Sequence, residues 1–113
     1  MKIYHNPRCG KSRQTLALIE DAGIEPEVIE YLKTPPTAEE LDAILKKLKM
    51  EPRDLMRTGE AIYRELDLAN RELTRDEAIA VMLEHPKLIE RPIVVQGRKA
   101  VLGRPPENVN ELL

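Results

Sequence analysis

The 113-residue sequence predicts an α/β fold in which a β-α-β unit and a β-β-α unit flank a block of helices. Three observations lead there. Within the first thirty or so residues a short apolar run, a helical stripe and a second β-rich run follow one another, and that order makes the first two strands parallel. Two capping signals, at Thr37 and Thr74, mark helices in the middle of the chain. Near the end, "RPIVVQGRKAVLG" reads as two β-rich runs about a turn at Gly97, a hairpin.

"MKIYH" is the first strand, closed by the loop signals of "NPRCG". A helix then runs from about Lys11 to Ala22. Leu16, Ile19 and Ala22 form its apolar stripe, joined by Leu18, and Gly23 takes the position after its end. "EVIEYL" (27–32) supplies the second strand. "TPPTAEEL" opens the next helix, where Thr37 and Glu40 have capping-box spacing and Leu41, Ile44, Leu45 and Leu48 line one face. Residues 51–70 read as one or two short helices broken at Gly59. "LTRDEAIAVMLEHP" is capped by Thr74 with Glu77, turns Ile79, Met82 and Leu83 to the core, and stops before Pro86. "PPENVNELL" ends the chain in a short helix starting near Pro105 or Pro106. This order describes a single thioredoxin/glutaredoxin-like domain, residues 1–113, with a helical insertion at roughly 37–84 between strands two and three.

Composition narrows the function classes. With 42% hydrophobic and 34% charged residues the chain suits a soluble globular protein. Its longest apolar run, "AIAVML", is far below the ~20 residues of a membrane span. No signal-like apolar core occupies the first ten residues, and the single cysteine excludes an internal disulfide and suits a reducing, cytoplasmic setting. With no Trp, no Phe and three Tyr, little is available for stacking on bases, which weighs against nucleic acid. Charge is unevenly spread. Residues 1–19 hold Lys2, Arg8, Lys11 and Arg13 and no acid, whereas residues 20–85 hold seventeen acids against nine Lys and Arg. Cations return from Lys87 onward. A fold that joins the two ends would create a local positive pocket on an acidic protein, suited to a small anion.

Cys9 is the only cysteine. It stands at or just before the first helical turn, where unpaired N–H groups and the positive helix end favour a thiolate, with Arg8, Lys11 and Arg13 adding charge. The same features bind an oxyanion. Spacing eliminates two alternatives. A phosphatase-type loop needs an arginine six positions on, where Thr15 stands, and a dithiol site needs a second cysteine at position 12, where Ser12 stands. One Cys and two distant His make no metal site. Any adduct on Cys9 must therefore be resolved by an external thiol. His5, four residues earlier, either orients or charge-stabilises the thiol, or is a polar strand-end residue.

"HNPRCGKSR", "LMRTG", "ERPIVV" and "LGRPPE", in that order, resemble the glutaredoxin-linked arsenate reductase family, over essentially the whole chain. The resemblance implies a thioredoxin-like fold with a helical insertion and no bound cofactor. It also implies a cysteine thiolate, Cys9, that forms a thiol-arsenate adduct, with glutathione as co-substrate and glutaredoxin resolving the adduct to release arsenite. It maps the oxyanion-binding arginines onto Arg57, Arg91 and Arg104. It makes Pro92 a cis-proline that turns the backbone toward the thiol, and assigns thiolate-stabilising roles to His5, Asn6, Gly10 and Ser12, the last by a hydrogen bond. Arginine suits the task because its planar fork holds tetrahedral oxyanions bidentately and stays charged.

Arg8 and Lys11 depart from the pattern, standing where well-known detoxifying members carry smaller, uncharged residues. They either tighten anion binding or mark a glutathione mixed disulfide as the substrate. Two other functions compete: a regulator resembling Spx-type proteins that bind RNA polymerase, and a monothiol redoxin acting on glutathione mixed disulfides. Ser12 in place of a second cysteine counts against the disulfide switch of the former.

Overall fold

The computed structural model describes all 113 residues, and its architecture is thioredoxin-like. The chain divides into two compact units, one of residues 1–34 with 91–113 and the other of residues 35–90.

The first unit is built on a four-stranded sheet. Strands β1 (Lys2–His5), β2 (Glu27–Glu30), β3 (Ile93–Gln96) and β4 (Lys99–Leu102) lie in the order β2-β1-β3-β4. β1 runs parallel to β2, with Ile3 opposite Val28, and antiparallel to β3, with Ile3 opposite Val94. Helix α1 (Gly10–Asp21) makes the crossover between the parallel strands. β3 and β4 are joined by a two-residue turn whose first residue, Gly97, has φ of 58°. That left-handed conformation at the leading position fits a type II′ hairpin turn and is cheap only for glycine. A 3-10 helix, Pro106–Leu112, closes the unit. Ile3, Ile19, Val94 and Val109 form its dry centre, one residue each from β1, α1, β3 and the C-terminal helix. Each such fully buried aliphatic side chain contributes about 1.5–3 kcal/mol.

α1 differs from the apolar stripe read from sequence. Its buried positions are Ser12, Thr15 and Ile19, while Leu16 and Leu18 are half-buried and Ala22 is exposed. Two of three inward residues are thus hydroxylated, and both side chains have partners, as buried polar groups require. The helix also starts one residue earlier than expected, which makes Cys9 its N-cap. β2 stops at Glu30 rather than residue 32, and a turn follows.

The second unit is helical: α2 (Ala38–Leu48), α3 (Ala61–Glu65) and α4 (Arg75–Glu84), with 3-10 turns at Pro52–Leu55, Leu68–Asn70 and Pro86–Leu88. Both capping boxes form. Thr37 Oγ1 accepts from the Glu40 N–H at 3.1 Å, and Thr74 Oγ1 from the Glu77 N–H at 3.2 Å. The glutamates return the bond to the N-cap N–H groups at 3.1 and 2.9 Å. α2 buries Leu41, Ile44 and Leu45, and α4 buries Ala78, Ile79 and Met82, with Leu83 only half-buried. No helix of the protein is long and apolar enough to cross a membrane. Thr74→Ala removes one acceptor from an exposed helix start, so we predict a loss of about 1 kcal/mol, read as a lower urea midpoint.

Candidate active site

The site is built where β1 hands over to α1. Asn6 shapes this loop with three bonds: its carbonyl accepts from the Cys9 N–H at 3.0 Å, its Oδ1 accepts from the Arg8 N–H at 3.0 Å, and its own N–H donates to Ser12 Oγ at 3.0 Å. Arg13 pins the same loop from the helix, Nη1 donating to the Pro7 carbonyl at 2.9 Å. Cys9 has extended backbone angles (φ −95°, ψ 122°), and its carbonyl accepts the first helical bond, from the Arg13 N–H at 3.0 Å.

An N-cap side chain ordinarily offers an oxygen to the N–H groups of the first turn. Here sulfur occupies that place. It makes no capping hydrogen bond of ordinary length, yet the N–H dipoles of Ser12 and Lys11 act on it. Only 8% of Cys9 is exposed, and burial is the largest single influence on the thiol, pushing its pKa up. Four opposing influences outweigh it together: the Ser12 N–H, the Arg91 guanidinium, the Lys11 N–H and the Arg104 guanidinium. The net result is a thiol held below its ordinary range. Arg104 Nη1 stands 3.9 Å from Sγ and 3.4 Å from the Arg91 carbonyl.

The expected local cations have other tasks. Lys11 acts on sulfur through its backbone, and Arg13 binds the Pro7 carbonyl. Arg8 lines a pocket of about 190 Å³ with His5, Asn6, Pro7, Glu30, Leu32 and Lys33. The charges that act on Cys9 come instead from residues 91 and 104, far along the chain. This is the physical advantage of the β1–β3 pairing: it carries Arg91, two residues before β3, to the sheet end that holds Cys9.

Ser12 reaches the sulfur by its N–H; its hydroxyl is engaged elsewhere. Ser12 Oγ lies 2.6 Å from His5 Nδ1 and accepts from the Asn6 N–H. His5 is buried, and burial is the main cause that holds its imidazole below the ordinary range; Arg13 adds to this, and Glu30 and Glu20 oppose it. The ring is therefore neutral at neutral pH and orients the loop without adding charge. Gly10 is exposed at the first helical position. The Arg91–Pro92 bond is cis, and so is Arg104–Pro105, which the sequence reading did not anticipate. Arg57 lies in the second unit, where its guanidinium meets Glu60 at 3.4 Å and the Lys87 carbonyl at 3.4 Å. No three His, Cys, Asp or Glu side chains come together as a metal-holding group. Sequence reasoning passed over Thr15 and Gly103, which pack between these elements; only the absence of an apolar residue at a core-facing helix position hinted at the first.

A thioredoxin-like sheet with one thiol at a helix N-cap, acted on by the charges of Arg91 and Arg104, defines a single-cysteine class of that fold. Comparison with known proteins gives the family. The profile described as the ArsC family matches residues 4–112. The uncharacterised protein YfgD of Escherichia coli is 53% identical over 100% of this chain and 96% of its own. An arsenate reductase of Haemophilus influenzae is 49% identical over 98% of this chain and 97% of its own. The solved structure of the arsenate reductase from Vibrio cholerae superposes with a TM-score of 0.95 at 54% identity, covering 99% of this chain and 96% of that one. The chain belongs to the ArsC family.

Two outcomes follow from this geometry. Removing a cation that favours the thiolate raises the thiol pKa, so in Arg104→Ala the pH profile of Cys9 alkylation by iodoacetamide moves to higher pH. Native ionisation below the free-thiol pKa adds stability that is present above that free-thiol value and lost as pH falls through the native one. Ser12→Ala strips partners from the His5 ring and the Asn6 N–H at once, and costs about 1–3 kcal/mol in denaturant unfolding.

Proposed function

We propose that this protein reduces arsenate to arsenite through a covalent adduct on Cys9, with glutathione and glutaredoxin as the thiol reductants. The observation that carries the reading is a lone thiol at a helix N-cap with the Arg104 guanidinium 3.9 Å from its sulfur. Relatives named arsenate reductase, at 46–49% identity over nearly the full chain, support the same substrate.

In this reading Arg91 and Arg104 hold the arsenate oxygens, and the N–H groups of the first helical turn face the developing charge. The Cys9 thiolate attacks arsenic; an S–As bond forms and a protonated oxygen leaves as water, with arsenic still pentavalent. A glutathione thiol displaces a second oxygen as water. The glutaredoxin thiolate then attacks the glutathione sulfur, making a mixed disulfide, and the electron pair of the broken S–As bond reduces arsenic to the trivalent state. Water finally releases arsenite and returns the Cys9 thiolate. Two electrons, one from each external thiol, balance the reduction. No bound prosthetic group enters the cycle, and Cys9 needs no second cysteine because the resolving thiol arrives from outside.

The test couples arsenate, glutathione, glutaredoxin and glutathione reductase to NADPH oxidation. We expect an arsenate-dependent rate in the native protein and none in Cys9→Ser. Arg91→Ala should raise KM for arsenate roughly tenfold to a hundredfold, the worth of a charge-assisted contact. A native rate no greater than that of Cys9→Ser overturns the reading.

A further inference from the structure

We propose that Thr15 and Gly103 form a clamp between α1 and the end of β4 that sets the separation of Cys9 from Arg104, making both of them positioning residues of the site. Thr15 is fully buried, six residues beyond Cys9 in α1. Gly103 is also buried and immediately precedes Arg104. Thr15 Oγ1 donates to the Lys11 carbonyl at 2.8 Å and lies 3.3 Å from the Gly103 carbonyl, so its one proton is shared, mainly toward Lys11. From the other side the Gly103 N–H donates to the Pro92 carbonyl at 2.9 Å. One glycine thereby ties the helix bearing the thiol to the segment bearing Arg91 and to Arg104 itself.

The approach is possible only because residue 103 lacks a Cβ. A carbon placed there would lie 2.7 Å from Pro92 Cγ and 2.9 Å from Thr15 Cγ2, and would overlap Thr15 Oγ1. Neither neighbour can step aside. The proline Cγ can move only within the range of ring pucker, and the β-branched threonine is held in place by its bond to Lys11. Any side chain at 103 must push the backbone, and Arg104 with it, away from α1 and Pro92. The bulk of Thr15 matters as much as its hydroxyl, since together they set how closely the chain approaches.

Gly103→Ala, Thr15→Ala, the double variant and Thr15→Val test this. Gly103→Ala should shift the ultraviolet titration of the Cys9 thiol to higher pH and slow iodoacetamide alkylation at neutral pH. It should also lower kcat/KM for arsenate by ~10-fold or more, as expected for a displaced positioning group. Thr15→Ala removes two of the three clashes, so the double variant should recover part of the titration shift, giving a non-additive cycle. Should Gly103→Ala not fold, Thr15→Val keeps the branched shape without the proton and should show a smaller upward shift. The kinetic arm rests on the arsenate reading, whereas titration and alkylation do not, so a failed activity assay leaves the clamp testable. A folded Gly103→Ala whose thiol titrates like the native one overturns the proposal, even if its melting temperature falls. So do additive effects in the double variant, or a native titration in Thr15→Val.

Discussion

The structure turns on a contest at one sulfur atom. Burial of Cys9 favours the neutral thiol, and that is the largest single influence on it. The thiol pKa is lowered nonetheless, because several weaker effects share a sign and converge on one point: two backbone N–H dipoles and two guanidinium groups. No member of the set suffices alone. Partial burial also keeps the attracting charges effective, because water between 3.9 Å neighbours would screen them.

The fold meets this demand by division of labour. Local chain supplies the dipoles: the Asn6 loop holds the Cys9 N–H, Arg13 anchors Pro7, and α1 begins under the sulfur. The sheet supplies the charges, since β3 lies beside β1 and β4 beside β3, bringing both arginine-bearing segments to the same end. His5 belongs to the local half. Buried and below its ordinary pKa, it behaves as a scaffold for Ser12.

The second unit follows simpler rules. Its two principal helices are bounded by reciprocal capping boxes, and acids in their first turns match the helix dipole. Arg57 is tied there to Glu60 and to the Lys87 carbonyl, so its guanidinium is already oriented by partners of its own unit.

The amino-acid sequence by itself determined what depends on near neighbours. Capping boxes at Thr37 and Thr74, the glycine turn at 97 and the β-α-β order are set by spacings of a few residues, and all appear as read. The position of Cys9 at a helix start was legible for the same reason. Which of ten arginines attend it was not, because Arg104 lies 95 positions away and no local pattern encodes that closure; resemblance alone singled it out. Tertiary structure also decided that Arg13 serves the Pro7 carbonyl, that Ser12 turns its hydroxyl to His5, and that Thr15 meets Gly103 across 88 positions. A polar residue in a helix reads as surface until the element packed against it is known, and the absence of a side chain signals nothing until another chain segment needs its space.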